Sequence, residues 1–132
     1  MNTKNILVPF GKDSVDLKPL YHSFALAKRI RGKVFIIFFK SKHPDMHRSP
    51  AIEEACLEMV HSAREEGVSV SFHIAHDRFE HELIDFIKSE HIDLIVMGSK
   101  DDVMEAITKE IRPKVSVQII QVEGKQDINF FE

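Results

Sequence analysis

The chain has 132 residues, of which 43% are hydrophobic and 30% charged, and its formal net charge is −3. That length supports one domain with a real core and is too short for two. The acidic balance shows no basic stripe, which argues against a nucleic-acid binder, and no apolar run approaches the ~20 residues of a membrane span, so no membrane insertion is expected.

Met1-Asn2-Thr3-Lys4 leads into only a short apolar stretch, which is no signal peptide, and the lone Cys56 permits no disulfide within the chain. Both point to a reduced, cytoplasmic protein. Asn5 to Pro9 is a short apolar run closed by proline and reads as a buried strand. After the polar Gly11-Lys12-Asp13-Ser14, residues Leu17, Leu20, Tyr21, Phe24, Leu26, Ala27 and Ile30 recur at spacings of three and four. This predicts a helix over 17–31 with Pro19 in its first turn and Gly32 as its stop.

Val34 to Phe39 is apolar on both faces, as a central parallel strand should be. Beyond the polar loop Lys40 to Pro50, a stripe of Ile52, Ala55, Cys56, Met59, Val60 and Ala63 predicts a second helix, capped by Gly67. Val68, Val70, Phe72 and Ile74 alternate with polar residues, which places this strand nearer a sheet edge. A third helix is predicted over 79–90, a fourth strand from Ile92 to Met97, a short fourth helix from Val103 to Ile111 and a fifth strand from Val115 to Val122. The tail from Gly124 to Glu132 is polar apart from Ile128, Phe130 and Phe131.

Strands that alternate with helices imply right-handed crossovers and a mostly parallel, five-stranded α/β sheet with helices on both faces. A small-molecule site should then lie at the carboxyl ends of the first and fourth strands, beside a switch in strand order. Pro9, Phe10, Gly11, Phe38, Phe39, Met97, Gly98, Ser99 and Lys100 fall there. Gly98-Ser99 would let backbone approach a phosphate. Asp101 and Asp102 follow at once, where a phosphate cradle would want glycines and positive charge. Two unit charges 4 Å apart at an effective dielectric of ~20 interact by roughly 4 kcal/mol, so these acids oppose a triphosphate. They suit a helix N-terminus instead.

The layout resembles the universal stress protein family from about Asn5 to Val122. Three segments carry the likeness: Ile6-Leu7-Val8-Pro9, Phe24-Ala25-Leu26-Ala27-Lys28-Arg29 and, most specifically, Ile92 to Lys100. The resemblance implies a single domain over 1–132 with its core in 5–122 and a C-terminal tail in 123–132, built as the family's five-stranded sandwich. It also implies a homodimer in which the last strand pairs across a two-fold axis, here Val115, Val117, Ile119, Ile120 and Val122. One large branch of the family binds ATP through an aspartate two residues after the first-strand proline and a loop of the form Gly-x-x-Gly-x9-Gly-Ser/Thr. In this chain Gly11 stands at the aspartate position, and Asp13 comes two positions late. Gly98 fits the first glycine of the loop, but its second falls at Asp101 and its last pair at Ile111 and Arg112. The family's loop and helix are roughly ten residues longer, so the phosphate cradle looks deleted. No cofactor is expected; ATP or AMP is a secondary possibility.

Eight histidines are the other unusual feature. His73, His76 and His81 lie near Asp77 and Glu80, and His43 and His47 flank Pro44 and Asp45. The spacing of His73, His76 and His81 fits neither a helical i, i+4 pair nor a compact metal motif, and His43 and His47 fall in the polar loop around Pro44, so solvated surface is expected and no metal. Ser14, Ser23 and Ser99 lack a Gly-x-Ser-x-Gly context, and Cys56 falls on an apolar stripe. Nothing in this set builds an enzyme. The expectation is a non-catalytic stress-response or regulatory module with an unidentified protein partner; a sensor that holds a small ligand or adenine nucleotide in the residual crevice is the alternative, and a nucleotide hydrolase a remoter one.

Overall fold

In the computed structural model, which describes residues 4–10, 17–39, 50–75, 79–98, 109–115 and 117–122, five parallel strands form one sheet. In chain order the elements are β1 (Asn5–Phe10), α1 (Lys18–Ile30), β2 (Lys33–Phe39), α2 (Pro50–Glu65), β3 (Ser69–Ala75), α3 (Phe79–Ser89), β4 (Leu94–Gly98) and β5 (Gln118–Val122). Their spatial order is β3-β2-β1-β4-β5. The expected parallel α/β sheet is therefore present, and the strand order reverses between β1 and β4.

Period-two alternation splits the core into two layers. Ile6, Val8, Phe10, Val34, Ile36, Phe38 and Val96 turn to the face covered by α1 and α2, where they meet Leu20, Phe24, Cys56 and Val60. Leu7, Phe35, Ile37, Ile95 and Met97 turn to the other face, against Leu83 and Ile87 of α3 and against Ile111. Because both faces are covered, β1, β2 and β4 read as unbroken apolar runs. β3 lies at the edge, as its half-polar pattern requires, and leaves Ile74 exposed. The Arg64 guanidinium donates from Nε and Nη2 to the Val70 carbonyl, at 3.1 and 2.8 Å, and places a cation on that edge strand.

Helix ends are where the sequence pattern misleads. Pro19 sits in the first turn of α1 as expected, but the left-handed residue that ends the helix is Arg31 (φ 58°), not Gly32. Gly32 is needed for a different reason. A Cβ there would lie 3.1 Å from the Lys4 carbonyl oxygen and 3.3 Å from Ile6 Cδ1, so the glycine lets the chain pass close to β1. Gly67 does cap α2, with φ 92° and its Cβ direction open. The fifth strand is shorter than expected. Pro113 falls in a single 3-10 turn, Arg112–Lys114, and Val115 N–H donates to Ile111 O, so Val115 and Val117 precede β5 and do not belong to it. Of the expected fourth helix, 109–111 is helical, and the other residues lie outside those described.

One tie joins the start of β1 to the turn between α3 and β4. Asn5 N–H donates to Asp93 Oδ2 at 2.9 Å, and Asn5 Nδ2 donates to the carbonyls of Glu90 and His91 at 2.8 and 3.3 Å. It satisfies carbonyls at the end of α3, where His91 (φ 54°) turns left-handed without a glycine. Asn5→Ala is expected to lower stability by about 1 kcal/mol, a Tm fall of roughly 3–5 °C by calorimetry.

Candidate functional site at the strand-order switch

β1 and β2 stay in register to Phe10↔Phe38, whereas β1 and β4 are matched only at Ile6↔Leu94 and Leu7↔Ile95. Beyond those pairs the carboxyl ends of β1 and β4 run on to Phe10 and Gly98 without a shared register. This is the crevice position that a switch in strand order creates. The amino end of α1 borders it, since a Cβ on Gly98 would meet Pro19 Cγ at 3.8 Å. That is ordinary contact, and the φ of Gly98 is not positive, so neither space nor local backbone demands glycine there.

The residues named for the crevice separate into three sets. Pro9, Phe10, Phe38 and Met97 are all buried. Phe10 and Phe38 contact each other edge to face on the α1/α2 side (centroids 5.6 Å apart), whereas Met97 belongs to the opposite layer. These side chains are packed into core and do not form one facing wall. Gly98 is partly exposed at the mouth. Gly11, Ser99, Lys100, Asp13, Asp101 and Asp102, and the side chain of Phe39, lie outside the described residues.

Other candidates resolve plainly. Ser23 is fully buried and its hydroxyl donates to the Pro19 carbonyl at 2.7 Å, a helix-internal role. Cys56 is fully buried in the α1/α2 layer, as its position on the stripe predicts. His73 is exposed and lies with its ring 4.8 Å from that of Phe86 and 6.5 Å from that of Phe35. His81 stands in the first turn of α3, whereas His43, Pro44, Asp45, His47, His76 and Asp77 lie outside the described residues. Among the described residues no group of three or more His, Cys, Asp and Glu is placed to hold a metal ion. Among the same residues no helix is long and apolar enough to cross a membrane.

A carboxylate pair escaped the sequence reading. Glu80 of α3 and Glu110 of the helical segment 109–111 share a hydrogen bond, and that bond with the Glu110 charge raises the Glu80 pKa; slight desolvation adds to this, while Lys114 and His81 oppose it. Only the fold brings residues thirty positions apart into contact, so no spacing signal existed. A raised folded-state pKa contributes stability below the ordinary value of 4.5, and that contribution is lost as pH rises through the folded value. Glu80→Gln is expected to remove this acid-side gain and to raise Tm slightly at pH 7, which thermal melts from pH 4 to 7 would show.

The open parallel sheet, its strand order and its switch point define a five-stranded α/β sandwich with helices on both faces. The chain belongs to the universal stress protein family, whose profile matches residues 2–122. Its fold is shared by a universal stress family protein from Burkholderia pseudomallei at 16% identity, TM-score 0.61, with 90% of this chain and 95% of that one covered. A universal stress protein solved in complex with cAMP matches at 11% identity, TM-score 0.62, with 90% and 96% covered. One from Archaeoglobus fulgidus in complex with dAMP matches at 15% identity, TM-score 0.60, with 91% and 97% covered. No curated protein sequence matches the chain.

Proposed function

We propose that this chain is a non-catalytic stress-response or regulatory module of its family, cytoplasmic, and that it does not bind ATP. The observation that carries the reading is the place of Ile111. The family loop, counted from Gly98, needs its final glycine there, yet Ile111 is 1% exposed and packed in the α3 layer. Arg112 follows in the 3-10 turn, which leads directly toward β5. Ile111 thus places a core side chain where the loop would set a glycine against the phosphates, and its carbonyl accepts from Val115 N–H in the turn. Gly11 and Asp101 at the remaining motif positions support the same reading.

The family homodimer is part of the proposal. β5 is the outermost strand on the β4 side of the described sheet, with Ile119, Ile120 and Val122 partly exposed. Such an edge is a template for pairing with a second copy. An unidentified protein partner would complete the module.

A small-ligand sensor is the second reading. It is favoured by the loss of register between β1 and β4 at the switch, and by the cAMP and dAMP complexes of two similar structures. Thermal shift separates the two. A ligand at 100 times its Kd stabilises by about 2.7 kcal/mol, several degrees in a domain of this size. We expect millimolar ATP to move Tm by less than about 1 °C. A shift of several degrees with ATP would refute the first reading, and one with AMP or adenosine alone would select the second. Native mass spectrometry of protein purified without added ligand is the companion measurement.

A further inference from the structure

The face formed by α1 and α2 carries two features that the sheet-edge contact does not use. Between the helices runs an open cleft of about 550 Å3 with Phe24, Met59 and Ala63 among its lining residues. Tyr21 stands at the cleft at 65% exposure, and Leu57 on the outer surface of α2 at 48%. The helices beside it are oppositely charged. α1 has Lys18, Lys28 and Arg29 and no carboxylate, whereas α2 has the exposed Glu54, Glu58 and Glu65 against Arg64; each helix also carries one exposed histidine, His22 and His61.

The attraction between neighbouring helices within one chain accounts for only part of this split. Lys28 pairs with Glu66 at the cleft. His22 and Arg29, and Glu54 on the other helix, do not line the cleft and stand on its outer rims. A surface whose two halves carry opposite charge is complementary to itself after a two-fold rotation. The cationic α1 then lies over the anionic α2 of the partner, and the same contact is made twice. The alternative that sets α1 on α1 is repelled, so the charge split also selects the orientation. Tyr21 supplies the kind of aromatic anchor that such interfaces use.

We propose that the α1/α2 face docks a second copy of this chain through a two-fold contact, with α1 of each protomer against α2 of the other. The contact is separate from the β5 edge. A protomer using both would assemble beyond the dimer.

Charge-swap complementation in sedimentation velocity tests it on the full chain. One variant carries Glu54→Lys and Glu58→Lys; the other carries His22→Glu and Arg29→Glu. All four sites are exposed, and circular dichroism checks that both variants fold. Each variant alone is expected to lose one halving of assembly mass, with association weakened by about tenfold or more, and an equimolar mixture should restore it. About 0.5 M salt should weaken the wild-type association. Wild-type mass kept by either variant, a mixture that fails to recover, or a wild-type chain that shows no association sensitive to these reversals overturns the proposal. So does an assembly that responds to removal of residues 123–132 but not to charge reversal, which would make the chain's own tail the occupant. None of the four substitutions lies in β5; because α1 also packs beside β5, the α2 variant Glu54→Lys, Glu58→Lys is the one whose remaining mass reads out β5 pairing.

Discussion

Phe38→Ala is expected to cost about 3–5 kcal/mol of folding stability, measured by urea denaturation. Phe38 is 1% exposed near the carboxyl end of β2. Its ring meets Phe10 at 5.6 Å and 83° and Phe72 at 5.7 Å and 63°, both edge-to-face arrangements. Truncation forfeits the transfer energy of the ring and leaves a hole bounded by strands on either side, which cannot move inward without breaking sheet hydrogen bonds. Each aromatic contact adds about 0.5–1.5 kcal/mol beyond area burial. Against a total of about 5–15 kcal/mol for a domain, the loss is a large share. A loss below about 1 kcal/mol would mean that Phe38 faces an open crevice, as its position near the strand end suggested from sequence.

Leu83→Ala should cost about 2–5 kcal/mol, by the same measurement. Leu83 is 1% exposed and fixes α3 to the layer of Leu7, Phe35, Ile37 and Ile95. This layer does not share its buried members with the one that holds Phe38. The sheet separates the two sites, so their effects should add to within about 0.5 kcal/mol. The double variant then loses the sum, comparable to the whole stability, and is expected to be largely unfolded at 25 °C without denaturant. Marked non-additivity would show that the layers are coupled through the sheet.

The strands and helices were legible because burial on two faces writes long apolar runs such as Val34 to Phe38, and burial on one face writes stripes such as Cys56, Val60 and Ala63. The same periodicity located the edge at β3. Ends were harder. Arg31 and His91 take left-handed conformations that sequence assigns to glycine, because backbone hydrogen bonds closing the helix hold them there: Gly32 N–H to Ala27 O after α1, and Ile92 N–H to Ile87 O after α3. Val115 and Val117 have strand chemistry, but the turn at Pro113 keeps them out of the ladder. The candidate site was legible as a location, through the switch between β1 and β4, and much less so as a set of walls. Alternation sends Phe38 and Met97 to opposite layers, a fact that linear proximity to a strand end cannot reveal. The Glu80–Glu110 contact had no local signature at all.

The central place of β1 has a consequence for synthesis. Its two neighbours are made at very different times: β2 follows directly, but β4 emerges only after α2, β3 and α3. At about 5–20 residues per second, a nascent chain carries an unsatisfied edge on β1 for roughly 3–10 s after β2 is complete. During that interval Ile6, Leu7 and Val8 sit beside an open ladder. The half-built sheet is therefore the form of this protein in greatest need of a chaperone, and arrest of translation between residues 39 and 94 would leave its most adhesive strand uncovered.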